Sequence, residues 1–183
     1  MRLQSGRIMA DKKMILSGDG AIAYGAKACG VTLGAGYPGT PSTEILETLT
    51  SIGGAAQWSP NEKVALEAAA GASIAGARTL VTMKLVGLNV AADPLMTLSY
   101  IGVVGGMVVV VADDPGQDSS QTEQDTRHYA RLAKIPCLEP GDAAEARDFF
   151  AELTQQEHQS VRADVGLGEG HDRFVHAKIH HVV

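Results

Sequence analysis

Two places in this chain put reactive residue types where they could act on a bound molecule. The first is Glu62, in Ser59-Pro60-Asn61-Glu62, at the mouth of a long run of small residues. A carboxyl group there can close a capping box, with Ser59 as N-cap, Pro60 at the first helical position and Glu62 reaching back to the N-cap N–H. It can instead take and return a proton at a bound molecule. On pattern alone the cap is the commoner use. The second place is Gly34-Ala-Gly-Tyr-Pro-Gly-Thr-Pro-Ser42, nine residues with three glycines and two prolines. A strand, a glycine-rich loop and a helix N-terminus can hold an anion; the same text also serves as a plain strand-to-helix turn, with Thr40 capping a helix from Pro41. It lacks the GK[ST] of a P-loop.

Other reactive types have plainer readings. Gly18-Asp19-Gly20 reads as a turn with Asp19 near the N-terminus of a helix over 21–29. Lys84 is a strand-end lysine or an active-site cation. Asp113 and Asp114 close an apolar run, where an open α/β sheet holds ligands, or they are solvated turn residues. His128 faces solvent or the site. Cys29 and Cys137 are too far apart for a CxxC pair and read as free thiols of a reducing compartment.

These residues need elements to position them. Lys63–Ala77 reads as a helix weakened by Gly71 and Gly76, a cost that close packing against another backbone would explain. Thr79–Lys84 and Met107–Ala112 are apolar and unalternating, as expected of parallel strands buried on both faces. Gly87 is expected at a turn and Pro94 to kink or break the helix that follows, near Asp93. Ser120-x-x-Glu123 and Asp142-x-x-Glu145 read as further capping boxes, opening helices over 124–134 and 143–154. Ile135–Leu138, with Pro136, reads as an edge strand. Strand and helix alternate about five times, which predicts an α/β, three-layer, doubly wound, mostly parallel sheet with helices on both faces.

Composition narrows the classes. The 183 residues suit one domain, and 4% aromatics means a core of Ala, Val, Ile and Leu. A net charge of −6 with interspersed signs argues against nucleic acid. No apolar run reaches membrane-spanning length, because Lys84, Asn89 and Asp93 interrupt the richest region. Residues 1–13 are charged, lack the apolar stretch of a signal peptide and are expected to be a poorly ordered lead-in. The domain is expected over 14–156. From 157 periodicity is lost and five of the six histidines follow, so 157–183 is expected to be an irregular tail of a truncated or frame-shifted product.

Three long stretches, NEKVALEAAAGASIAGARTLVTMK, VGLNVAADPLMTLSY and DDPGQDSSQTEQDTRHYARLAKIPCLEP, together with the YPGTP loop, resemble the alpha subunit of indolepyruvate ferredoxin oxidoreductases, within the 2-oxoacid:ferredoxin oxidoreductases. The resemblance spans roughly residues 15–156 and implies the pyrimidine-binding domain of thiamine-diphosphate enzymes. The implied activity is oxidative decarboxylation of aryl pyruvates to aryl acetyl-CoA, with ferredoxin reduced. It implies Glu62 as the catalytic, cofactor-contacting acid, Thr40 at the substrate carboxylate, and Pro38, Gly39 and Asn89 as cofactor-binding residues; none is implied for a metal. Thiamine diphosphate would be shared with a diphosphate-binding domain or subunit, and magnesium and 4Fe-4S clusters would belong to parts outside this sequence. The implied partners are that domain, a beta subunit, ferredoxin, coenzyme A and the aryl pyruvate, in a cytoplasmic homo-oligomer. Two departures stand out: Asp19-Gly20 replaces the Asn-Glu of related subunits, and Leu85 replaces a polar residue, commonly His. The competing reading is a non-catalytic α/β binding or interaction module.

Overall fold

Strands and helices alternate along the chain: α1 (Gly18–Ala28), β1 (Leu33–Gly36), α2 (Thr43–Ser51), β2 (Ala56–Trp58), α3 (Glu62–Ile74), β3 (Thr79–Lys84), α4 (Leu85–Ile101), β4 (Met107–Asp113), α5 (Arg127–Ala133), β5 (Cys137–Leu138), α6 (Ala143–Gln155) and β6 (Phe174–His180). The computed structural model describes residues 14–116, 120–155 and 174–180. The expectations for 1–13, 157–173 and 181–183 lie outside them.

The six strands form one sheet in the order β2-β1-β3-β4-β6-β5, and every pairing is parallel. Connections that run one way across the sheet place their helix on one face; those that run back place it on the other, as right-handed crossovers require. Thus α3 and α4 pack on one face with Val81, Met83, Val109 and Val111. On the other, α1, α2 and α6 meet Leu80, Val108, Val110 and Ala112. Successive residues of β3 and β4 feed opposite clusters, which is why both strands read as unbroken apolar runs. The predicted doubly wound sheet is therefore present.

One sequence expectation changes at the scale of the sheet. Residues 174–180, expected within an irregular tail, form β6, between β4 and β5. The strand pairs with β4 from Met107↔Phe174 to Asp113↔His180. Backbone pairing makes this strand without the apolar run that marked its neighbours. Beyond it, β5 is an edge strand, as Pro136 suggested.

Several helix starts also differ. Asp19 lies inside the first turn of α1, whose N-cap is Ser17, so Gly18-Asp19-Gly20 is helix rather than turn. α2 begins at Thr43, and Thr40 is not its cap. α4 starts directly at the end of β3, which puts Gly87 inside its first turn. The same helix runs through Pro94 without breaking. Pro94 lies on the face that buries Leu88, Ala91, Leu95 and Leu98, and that packing outweighs one lost backbone bond. α5 starts at Arg127 rather than near Gln124, because Thr126 is held from below by Asp113. The box at α6 behaves closer to expectation: Glu145 N donates to Asp142 Oδ1 at 2.8 Å, while Glu145 Oε2 accepts from Gly141 N at 2.6 Å.

Candidate functional site

The chain moves from β1 to β2 on one side and returns to β3 on the other. That reversal is a topological switch point, and open α/β sheets bind ligands beyond the carboxyl ends of the strands at such a point. The β1–α2 loop, the N-terminus of α3 and the N-terminus of α4 all lie at this edge, and with them most of the residues singled out in the sequence.

Glu62 is the first residue of α3. Its N-cap is Asn61, whose side chain accepts from Val64 N at 2.9 Å. The expected capping box from Ser59 is therefore corrected. Ser59 is still tied to the sheet, donating its N–H to Gly36 O at 2.8 Å, and its buried Oγ has no hydrogen-bond partner among the described residues. Glu62 is released from a capping role. It is only 8% exposed, yet its carboxylate has no hydrogen bond or ion pair among the described residues. The carboxyl group lies against the first turn of α4, where Gly87 leaves room for it.

The β1–α2 loop is stitched on itself around Gly39. Ser42 N and Oγ both donate to Gly39 O at 2.9 Å, and Gly39 N donates to Thr43 Oγ1 at 2.9 Å. The Lys84 stem crosses over Gly39, so close that a Cβ there would meet Lys84 Cδ at 3.0 Å. Between these fixed points Pro38 and Thr40 stay exposed, with Gly39 half-buried and a cis peptide at Thr40-Pro41. The structure thus joins Gly39 to Lys84 and Glu62 to Gly87, two contacts that meet where β3 becomes α4. Leu85 is fully buried in that junction and presents no polar group there.

Asn89 has other obligations. Its Nδ2 donates to Gln124 Oε1 at 3.0 Å and its Oδ1 accepts from Tyr129 OH at 2.5 Å, while Gln124 Nε2 donates to Leu85 O at 3.0 Å. The residue ties α4 to the segment before α5. Asp113 is buried and anchors Thr126, accepting from its Oγ1 at 2.8 Å and its N–H at 3.1 Å, so it is no free ligand group. His128 is exposed and 4.0 Å from Asp125.

Sequence reasoning missed two features. One is the Gly87 contact, whose only signal was a glycine where a helix former would serve better. The other is a carboxyl pair at the start of α1 and α2. Burial, then a hydrogen bond to Glu44 and the charge of that group, raise Asp19 to about 7. No helix among the described residues is long and apolar enough to cross a membrane.

No protein-family model matches the chain. The indolepyruvate oxidoreductase subunit IorA of Archaeoglobus fulgidus is 49% identical over 146 residues, 75% of this chain and 23% of that subunit. The subunit of the same name from Pyrococcus abyssi is 47% identical over 176 residues, 86% of this chain and 27% of that subunit. The chain therefore spans about a quarter of the length of the curated relatives it matches. Among solved structures, 2-oxoglutarate:ferredoxin oxidoreductase from Magnetococcus marinus superposes with a TM-score of 0.70 at 18% identity, over 91% of this chain and 29% of that one, a likeness of fold. The chain is homologous to the N-terminal part of indolepyruvate oxidoreductase subunit IorA.

Proposed function

We propose that this chain supplies the pyrimidine-binding part of a thiamine-diphosphate-dependent 2-oxoacid:ferredoxin oxidoreductase that acts on aryl pyruvates, with Glu62 as its acid–base residue. The observation that carries the reading is Glu62: a residue only 8% exposed, with a carboxylate uncommitted among the described residues, at the carboxyl-end edge of the sheet beside its switch point. A group that must exchange a proton with a ring nitrogen needs an oxygen not committed to a helix cap, and the Asn61 cap leaves Glu62 in that condition. The residues present thus fit the cofactor's pyrimidine end. When bound, thiamine diphosphate supplies the nucleophilic carbon and the electron sink for decarboxylation of a 2-oxoacid.

Glu62 holds and moves a proton at its carboxyl oxygen. Pro38 and Gly39 offer the stitched loop beside the cofactor, and the exposed hydroxyl of Thr40 donates to the substrate carboxylate. Asn89 contributes by fixing α4 through Gln124 and Tyr129 rather than with a free amide. The remaining parts come from partners: a diphosphate-binding domain or subunit with magnesium, the 4Fe-4S clusters, a beta subunit, ferredoxin and coenzyme A, in a cytoplasmic homo-oligomer. The domain is proposed to begin near residue 14; the family-like text runs to 156, and β6 extends its sheet.

Reconstitution tests the reading. The chain is mixed with a diphosphate-binding part and a beta subunit, and ferredoxin reduction is followed with indolepyruvate, coenzyme A and thiamine diphosphate. Turnover is expected only with all components. Turnover by the chain alone, or undiminished turnover when it is left out, contradicts the proposal.

A further inference from the structure

Gly87 is buried in the first turn of α4. Glycine inside a helix is unfavourable relative to alanine, because it has more backbone freedom to lose. The position therefore asks for a reason, and the reason lies on the facing helix. A Cβ at Gly87 would sit 2.6 Å from Glu62 Oε1, 2.7 Å from its Cγ and 2.9 Å from its Cδ. These are the three nearest neighbours, all from one side chain, and all well inside the roughly 3.5 Å of ordinary carbon contact.

Other glycines show what is distinctive here. Gly71, on the open side of α3, has nothing within 4 Å of such a Cβ. Gly105 meets backbone, with Ala77 O nearest, so a side chain there would force two segments apart. At Gly87 the obstacle is a side chain that can swing away. A substituent would leave α3 and α4 in place, tied at their outer edge by Lys63 and Asp93 at 2.8 Å, and would move the carboxyl group.

We propose that Gly87 is a positioning residue for Glu62: its bare Cα is the socket that fixes the carboxyl group against the first turn of α4. Its functional meaning rests on the reading of Glu62 as the proton-exchanging group. Two helices from separate crossovers then set the place of one acid.

The test compares urea midpoints of the full chain for wild type, Gly87→Ala, Glu62→Ala and the double variant. In the Glu62→Ala background, Gly87→Ala should raise the midpoint, as alanine does in a helix. In the wild-type background the shift should be smaller or negative, because the carboxyl group is displaced. Equal shifts in both backgrounds overturn the proposal, as does the lack of a nuclear Overhauser contact between the Glu62 side chain and the Gly87 Hα protons. Neither readout involves cofactor, so failure here is distinct from failure of the acid–base reading. In the reconstituted holoenzyme, Gly87→Ala should slow proton exchange at the cofactor by up to about 10²-fold, the scale of an ångström-sized misplacement. It should add nothing in the Glu62→Gln background; equal slowing in both backgrounds also overturns the role.

Discussion

Asp19 is a residue whose proton affinity the fold changes. In the folded chain its carboxyl group is raised from an ordinary 3.8 to about 7, first by burial and then by Glu44. A folded state that holds a proton more tightly than the unfolded chain loses stability as pH rises. The contribution is fully present below the ordinary value and is gone once pH passes about 7. The urea midpoint should therefore fall between about pH 4 and pH 7, and Asp19→Asn should flatten the slope, since an amide can still bond to Glu44 without a second negative charge. Midpoints that fall equally in the two proteins would contradict this account.

At the scale of elements, the periodic signals were legible and the element ends were not. The runs in β3 and β4 announced two-sided burial, and the structure gives each strand two apolar clusters. Helix starts depended on contacts from afar. Ser59 matched a capping box in the text, but its N–H belongs to the sheet through Gly36 O, so the helix waits for Asn61. Thr126 takes the start of α5 because Asp113, at the far end of a different element, holds it. Pro94 marked a break that tertiary packing overrides. The two readings of the α3 start differ by experiment: Asn61→Ala should cost about 1 kcal/mol, the usual worth of an N-cap. Ser59→Ala should be neutral or slightly stabilising, since its buried hydroxyl has no partner among the described residues. Matched chemical denaturation curves check both, and the reverse order would restore the capping box. Of the candidate site, types and spacing singled out Glu62 and the Gly39 loop but favoured a helix cap and a turn, and only the resemblance gave them roles; the Gly87 contact was not legible, because its partner lies 25 residues away and only the fold brings it there.

At the scale of the whole molecule, β6 is the consequential difference. Its text is not apolar throughout, so periodicity offered no strand, but its position between β4 and β5 gives it pairing on both sides. A proline in a strand flanked on both sides removes a ladder bond. Ala177→Pro should lower the denaturation midpoint, and amides over 174–180 should exchange slowly. Exchange at unprotected rates there would return the segment to an irregular tail and leave β4 as the sheet's inner edge. The chain spans 23% and 27% of the length of two curated relatives. Chemistry proposed for the switch point is therefore measured with the proposed partner parts present.

The most direct measurement is proton–deuterium exchange at the thiazolium carbon of thiamine diphosphate, in the reconstituted enzyme carrying either Glu62 or Glu62→Gln. The amide keeps the shape of the side chain, and no cap is lost, because Asn61 supplies it. Thermal melts of the two proteins should therefore nearly coincide. Exchange in the variant should fall by roughly 10²–10⁴-fold, the range for loss of an acid–base group. Exchange at the wild-type rate would contradict the assignment of Glu62 as the proton-exchanging residue.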